Sequence, residues 1–227
     1  MHSSGRSCGQ VLGLVTAIAV VATMGASVGA SPIASGAITD PLGDAAAGRP
    51  DIVSAYIVID SSATALFSVT FAPGTSLMDA LAQFVLDIDQ NPATGFPGVD
   101  SGGSDSAVMG TEFALLVYGS AFQGYAEVLQ YPGWGSTGTF AATYAGTTME
   151  TTVPLSALGG DDGLMNFKVV SSQQFDTDSF SGVGDYAPDL GLAPGTVAAA
   201  DVPEPATLTL LALGGLGLLR RRRRKAA

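Results

Sequence analysis

The segment DIDQNPATGFPGVD, residues 87–100, concentrates oxygen-bearing side chains of the kind that bind calcium. Asp87, Asp89 and Asn91 stand at positions one, three and five, the spacing at which an oxygen-rich calcium loop begins. The segment is not an EF-hand, because Pro92 occupies the position of the turn glycine and no Glu closes the loop at position twelve. Strand alternation points the first two carboxylates to the same side, where they repel unless a cation or a donor offsets them.

Two interpretations of this segment stay open. The chain can return through Thr94-Gly95 or Asp100 and complete a cage of oxygens around calcium. Alternatively, the pattern Asp-x-Asp-x-Asn-Pro simply ends a strand in a solvated turn.

The central part of the chain is strongly acidic. Between residues 31 and 202 there are nineteen acidic residues but only two basic ones, Arg49 and Lys168. Such a surface repels nucleic acids and anionic membranes and suits calcium. We therefore expect no nucleic-acid partner.

The residue types present exclude most enzymatic chemistry. His2 and Cys8, the single histidine and the single cysteine, lie ahead of the apolar amino-terminal run and would leave with a cleaved signal peptide. The remainder has no Ser-His-Asp triad, histidine base, thiol nucleophile, disulfide or thiolate zinc site. A glycosidase-like carboxylate pair stays formally open, but nothing singles one out among Glu112, Glu127 and Glu150. We predict a protein that is not an enzyme.

The segment YPGWG, residues 131–135, holds the only tryptophan, Trp134, beside Tyr131. An indole in a loop of Gly and Pro can stack on a sugar ring, and Trp134 and Tyr131 are the candidates for carbohydrate binding. The same indole can instead fold back as a plug over one end of the domain.

Strands must position these residues. DIVSAYIVID, TALFSVTF and QFVLDID, followed by five similar segments as far as residue 172, are separated by clusters of Gly, Pro, Asp and Ser. In TALFSVTF, alternation places Phe67, Val69 and Phe71 on one face. No long helical period appears. The pattern predicts an all-β domain, a jelly-roll-like antiparallel β-sandwich.

Targeting segments are expected on both sides of this domain. A weakly basic start, an apolar run and a small-residue cleavage site predict a signal peptide at residues 1–30, with a transmembrane helix as the alternative. The β-sandwich is expected at 31–190. Gly, Ala and Pro predict a flexible stalk at 191–201, followed by a sorting signal at 202–227.

The segment DPLGDAAAGRPDIVSAYIVID, with the acidic loop and its following Gly-Val-Asp, resembles β-sandwich domains related to family-nine carbohydrate-binding modules. VPLSALG and APDLG, later in the chain, look like the closing elements of that group. The resemblance implies a jelly-roll-like sandwich with a calcium ion of mainly structural use. With Asp100 from the loop itself, the candidate metal ligands are Asp40, Asp44, Asp87, Asp89 and Asn91.

The segment VPEPATLTLLALGGLGLLRRRRRKAA resembles a PEP-CTERM sorting signal. It contains Pro203, Glu204 and Pro205, then an apolar stretch, then a basic cluster. A helix of fourteen apolar residues covers about 21 Å, short of the roughly 30 Å hydrocarbon core. The stretch therefore suits transient inner-membrane insertion with the arginines inside, and a polybasic lipid-binding segment is the alternative. The sorting motif is expected to comprise Pro203, Glu204, Pro205, Arg220, Arg221 and Arg222.

This resemblance implies processing by exosortase, after signal peptidase has removed the amino terminus. Together the patterns predict an exported protein of a Gram-negative bacterium, delivered to the cell envelope, exopolysaccharide matrix or biofilm. Its domain is expected to be a structural or adhesive, calcium-stabilised module. The alternatives are a carbohydrate-binding module for the extracellular polysaccharide and a carboxylate-based glycan hydrolase.

Overall fold

The computed structural model describes residues 32–99, 108–121, 124–160, 162–173 and 182–199. The predicted all-β class is confirmed there: the one helical element is a 3-10 turn at Leu155–Leu158. The strands within these ranges are β1 Pro32–Thr39, β2 Ile52–Asp60, β3 Thr64–Phe71, β4 Ala80–Asp87, β5 Phe96–Pro97, β6 Gly110–Thr111, β7 Phe113–Tyr118, β8 Tyr125–Gln130, β9 Gly135–Ala145, β10 Thr148–Pro154, β11 Met165–Gln173, β12 Asp185–Ala187 and β13 Gly195–Ala199.

Ten of these strands form a closed antiparallel ring. Their order is β11-β13-β1-β2-β3-β10-β9-β8-β7-β4, and β4 pairs back with β11. β12 pairs with β11 beyond the stretch that β13 occupies. The predicted sandwich of two separate sheets is corrected on this point. The hydrogen-bonded ladders continue around both edges, because β9 pairs with both β8 and β10 and β13 pairs with both β1 and β11.

The inside of the ring is an apolar core built by strand alternation. Phe67, Val69 and Phe71, predicted to share one face of β3, are all buried. Phe67 meets Phe84 of β4 edge to face, with ring centroids 5.3 Å apart. Such a pair adds about 0.5–1.5 kcal/mol to the gain from removing both rings from water. The core therefore joins β3 to β4 across the ring.

β13 lies in the segment 191–201 that the sequence predicted to be a flexible stalk, and that prediction is corrected. Gly195–Ala199 pairs with β1 and β11, and Val197 is fully buried. The approach to β1 requires Gly36, because a Cβ there would collide with the backbone carbonyl of Thr196. The Gly-, Ala- and Pro-rich sequence of this segment does not indicate a strand, and the strand is stabilised by pairing with distant parts of the chain.

The described residues between β4 and β7, 88–99 and 108–112, include a part, the loop cover, that packs against the outer side of β4 and β11. The short strands β5 and β6 pair with each other, and this cover leaves Asp87, the last residue of β4, with 0% exposure. Outside the ring, a second small apolar cluster is formed by Val85, Val99, Met109 and Val170.

Several predictions concern residues outside the described ranges. These are the signal peptide at 1–30, the apolar and basic tail at 202–227, and the candidate ligand Asp100. Among the residues that the structure describes, no helix has the length and apolar character needed to span a membrane.

Candidate functional site

The fold brings Asp87, Asp89 and Glu112 together; we call these residues the loop cluster. Each offers a carboxylate oxygen that lies within 4.8 Å of the other two. Asp87 ends β4, and Glu112 lies between β6 and β7, where its N–H donates to the carbonyl of Leu86 at 3.1 Å. Three carboxylates at this spacing are suited to a divalent cation.

Hydrogen-bond donors from the loop partly offset the repulsion within the cluster. The N–H of Asn91 donates to Asp87 at 3.0 Å and to Asp89 at 2.9 Å. The hydroxyl of Thr94 lies 2.8 Å from Asp89 and 3.2 Å from Glu112, so the chain returns through Thr94, one of the two routes expected. The side-chain oxygen of Asn91 accepts from the N–H of Ala93 at 3.1 Å and closes a turn. Asn91 thus contributes its backbone N–H to the cluster, whereas its side chain is part of the turn.

The electrostatics of the loop cluster show a shortage of positive charge. Burial raises the pKa of Glu112 to about 7, and Asp89 and Asp87 raise it too, while the N–H of Ile88, which donates to Glu112 at 3.0 Å, lowers it. Burial likewise raises the pKa of Asp87, against the bond from the Asn166 side chain. A bound cation would favour the ionised form of both groups.

Asp40, Asp44 and Asp185 form a second group, which we call the strand-end cluster. One oxygen of each lies within 4.8 Å of the other two. Asp40 directly follows β1, and Asp185 begins β12, where it accepts from the N–H of Ile52 at 2.7 Å and of Tyr186 at 2.8 Å.

The structure therefore divides the predicted metal ligands between two places. The resemblance gave Asp40, Asp44, Asp87 and Asp89 as candidate ligands without dividing them among sites, and the structure places each pair in a different cluster. Asp100, the remaining candidate, lies outside the described residues.

Sequence reasoning did not assign Glu112 or Asp185 as metal ligands. Glu112 was considered only for a catalytic pair. Asp185 ends the segment FDTDSFSGVGD, which is most simply a loop, with a second ion site as the alternative. The one local signal for these two residues is their position in the sequence, because Glu112 directly precedes a strand and Asp185 begins one. Their partners come from strands far away in the chain, so only the pairing of those strands reveals the clusters.

Trp134 and Tyr131 pack against Phe96 of β5, which the sequence did not single out. The three ring centroids lie 5.6–5.8 Å apart in edge-to-face or tilted arrangements, and all three side chains are partly buried. The N–H of Tyr131 donates to the carbonyl of Glu112 at 2.8 Å, so this aromatic cluster borders the loop cluster. Trp134 is folded onto its neighbours, and carbohydrate binding by it stays a prediction.

Comparison with known proteins identifies one segment of the chain. Residues 201–224 match the PEP-CTERM protein-sorting motif, which includes Pro203, Glu204 and Pro205 and the arginines from Arg220 to Arg224. No curated protein and no solved structure is significantly similar to the chain. The resemblance to domains related to family-nine carbohydrate-binding modules is not shown by these comparisons and stays a prediction. The chain therefore carries the sorting motif of exported proteins that exosortase processes and sorts to the cell envelope.

Proposed function

We propose that the protein is a non-enzymatic, structural or adhesive component of the cell surface or exopolysaccharide matrix of a Gram-negative bacterium. The observation that carries this proposal is the position of the sorting motif relative to the fold. β13 ends at Ala199, and the matched motif begins at residue 201. Processing within the motif would therefore release the closed ring intact, with every strand that it needs.

The side chains of the ring support a role without catalysis. The described residues contain no histidine and no cysteine. Two of the carboxylates considered for a hydrolase pair already accept hydrogen bonds: Glu150 accepts from the Tyr56 hydroxyl at 2.8 Å, and Glu127 accepts from the Tyr118 hydroxyl at 3.3 Å. Both pairs join neighbouring strands or strands of the same ring and are partly buried.

Calcium at the loop cluster is part of the proposal. Hard carboxylate oxygens are the ligands that calcium prefers, and Asp87, Asp89 and Glu112 gather three of them around the buried end of β4. An ion there would neutralise charge that the loop's donors offset only in part. It would hold the loop cover, and with it the outer apolar cluster, against β4 and β11.

The sorting step is tested in a Gram-negative host that has an exosortase. We expect the wild-type chain to lose its tail and to appear in the envelope or matrix fraction. A variant with Pro203, Glu204 and Pro205 all changed to Ala should keep its tail and stay in the inner membrane. Intact mass and cell fractionation measure both outcomes, with Thr207→Ala as the control. Wild-type processing of the triple variant would contradict the proposal.

Carbohydrate binding is the second candidate, and the exposed part of the aromatic cluster favours it. Aromatic faces stack on sugar rings, and Trp134 lies beside a candidate calcium loop. If this function holds, Trp134→Ala should abolish binding of the protein to the exopolysaccharide of its own host, whereas Tyr144→Phe should keep it. Sedimentation with the polysaccharide measures this, and equal binding by Trp134→Ala removes the candidate.

A further inference from the structure

We propose that Asp40, Asp44 and Asp185, the strand-end cluster, bind a divalent cation of the calcium class, and that this ion ties the segment after β1 to the start of β12. The site is distinct from the loop cluster. It depends neither on the function proposed above nor on an ion at the loop cluster.

The side chain of Asp40 is only 8% exposed, and neither of its carboxylate oxygens has a hydrogen-bond partner among the described residues. A buried carboxylate without a hydrogen-bond donor is strongly unfavourable. Its oxygens lie beside those of Asp44 and Asp185. A cation between the three carboxylates supplies the missing partner.

The distances between the oxygens of the strand-end cluster are compatible with calcium. Calcium binds oxygens at 2.3–2.6 Å, so two oxygens on opposite sides of the ion are about 5 Å apart. The oxygens of the strand-end cluster lie within 4.8 Å of one another. Each pair of oxygens in the cluster is thus close enough to bind the same calcium ion.

Four further carboxylates lie near Asp40, those of Asp185, Asp44, Asp189 and Asp51. Asp51 accepts from the N–H of Gly43 at 2.8 Å through one oxygen, while its other oxygen is buried and has no partner within the described part of the chain. Asp51 and Asp189 thus add negative electrostatic potential at the cluster, and Asp51 also offers a carboxylate oxygen that has no hydrogen bond within the described residues.

The strand register separates this site from the loop cluster. Asp87 lies opposite Asn166 on β11, and Asp185 lies opposite Ser171, five residues further along the same strand. At about 3.3 Å per residue the two positions are about 17 Å apart, too far to share an ion. The ion at the strand-end cluster would connect the segment that follows β1 with β12 and, through the bond from Ile52 to Asp185, with the start of β2.

Calcium titration of the full-length protein, purified in mild detergent and stripped with chelator, tests this proposal. The probe is calcium chloride, with magnesium chloride at matched ionic strength as the comparison, and isothermal calorimetry gives affinity and stoichiometry. Asp44 is exposed, so Asp44→Asn should fold, and it should weaken one class of calcium sites by tenfold or more. Asp40→Asn should remove that class entirely. Asp162→Asn, which also neutralises an exposed carboxylate, should bind calcium as the wild type does.

The double variant Asp87→Asn with Asp89→Asn distinguishes calcium binding at the strand-end cluster from calcium binding at the loop cluster. The calcium sites that Asp44→Asn weakens should persist in this double variant, even if the loop cluster binds nothing. A wild-type protein that binds no calcium would overturn the proposal, as would an isotherm of Asp44→Asn equal to that of the wild type. If Asp40→Asn does not fold, the result for Asp44→Asn decides.

Discussion

At the residue scale, the chemistry of the domain comes from carboxylates that folding places close together. Asp87 and Glu112 are held at a strand end under a loop, and their pKa values rise because burial disfavours the charged form. Backbone donors at Ile88 and Asn91 oppose that shift without removing it. A ligand that brings positive charge would stabilise the ionised carboxylates, and this would offset the free energy that their ionisation costs in the buried site.

Chelation should lower the melting temperature of the protein. At a calcium concentration one hundred times Kd, binding to the native state adds about 2.7 kcal/mol to the free energy of unfolding. Asp87→Asn with Asp89→Asn should remove the share of this effect that belongs to the loop cluster. Thermal melts in calcium and in chelator, at equal ionic strength, measure the change, with Asp162→Asn as control. Identical wild-type melts in the two buffers would contradict calcium binding at either cluster.

At the element scale, closure of the ring depends on β13, a strand whose sequence shows little strand pattern. β13 has the sequence GTVAA, yet it bridges β1 and β11, and Val197 fills the core between them. Its neighbour β1 carries Gly36 at the point of closest approach. Without β13, both β1 and one end of β11 would present unpaired edges to solvent.

Truncation distinguishes a strand from a stalk. A chain that stops after Leu190 should fail to fold or should aggregate, because it lacks β13 and exposes the edges of β1 and β11. A chain that stops after Val202 keeps β13 and should fold, so it is the matched control. Circular dichroism and gel filtration of the two chains measure the difference. A cooperative, monomeric melt of the shorter chain would restore the prediction of a flexible stalk.

At the scale of the whole molecule, the domain is an acidic body attached to a basic tail. Nineteen acidic residues and two basic ones lie between residues 31 and 202, whereas six basic residues lie between Arg220 and Lys225. Self-repulsion among like charges destabilises the compact state and is screened by salt over about 10 Å at 0.1 M. The two carboxylate clusters concentrate that repulsion at two points.

The melting temperature of the chelator-treated protein should therefore rise with sodium chloride. Screening reduces the repulsion in the folded state, where the carboxylates are closer together than in the unfolded chain. The rise should be smaller in saturating calcium, because bound ions already neutralise the clusters. Melts between 20 mM and 500 mM salt, with and without calcium, measure both effects. A melting temperature that falls with salt in the absence of calcium would show that charge repulsion does not limit stability.

The sequence by itself determined the features that are encoded locally. The sorting motif is contiguous, so order and spacing identified it, and residues 201–224 match it. The strand TALFSVTF was predicted with its bounds and its buried face, because alternation over eight residues needs no distant partner. The pair Asp87 and Asp89, with Thr94 returning to it, could also be recognised, because all three lie in one short segment of the chain.

Only the tertiary structure decided what depends on contacts between distant segments. Closure of the ring, the strand at Gly195–Ala199 and the addition of Glu112 and Asp185 to the two clusters all follow from strand register. Register is cooperative: a strand as weak as β13 forms because two neighbours offer hydrogen bonds and a buried place for Val197. No local window of the sequence contains that information.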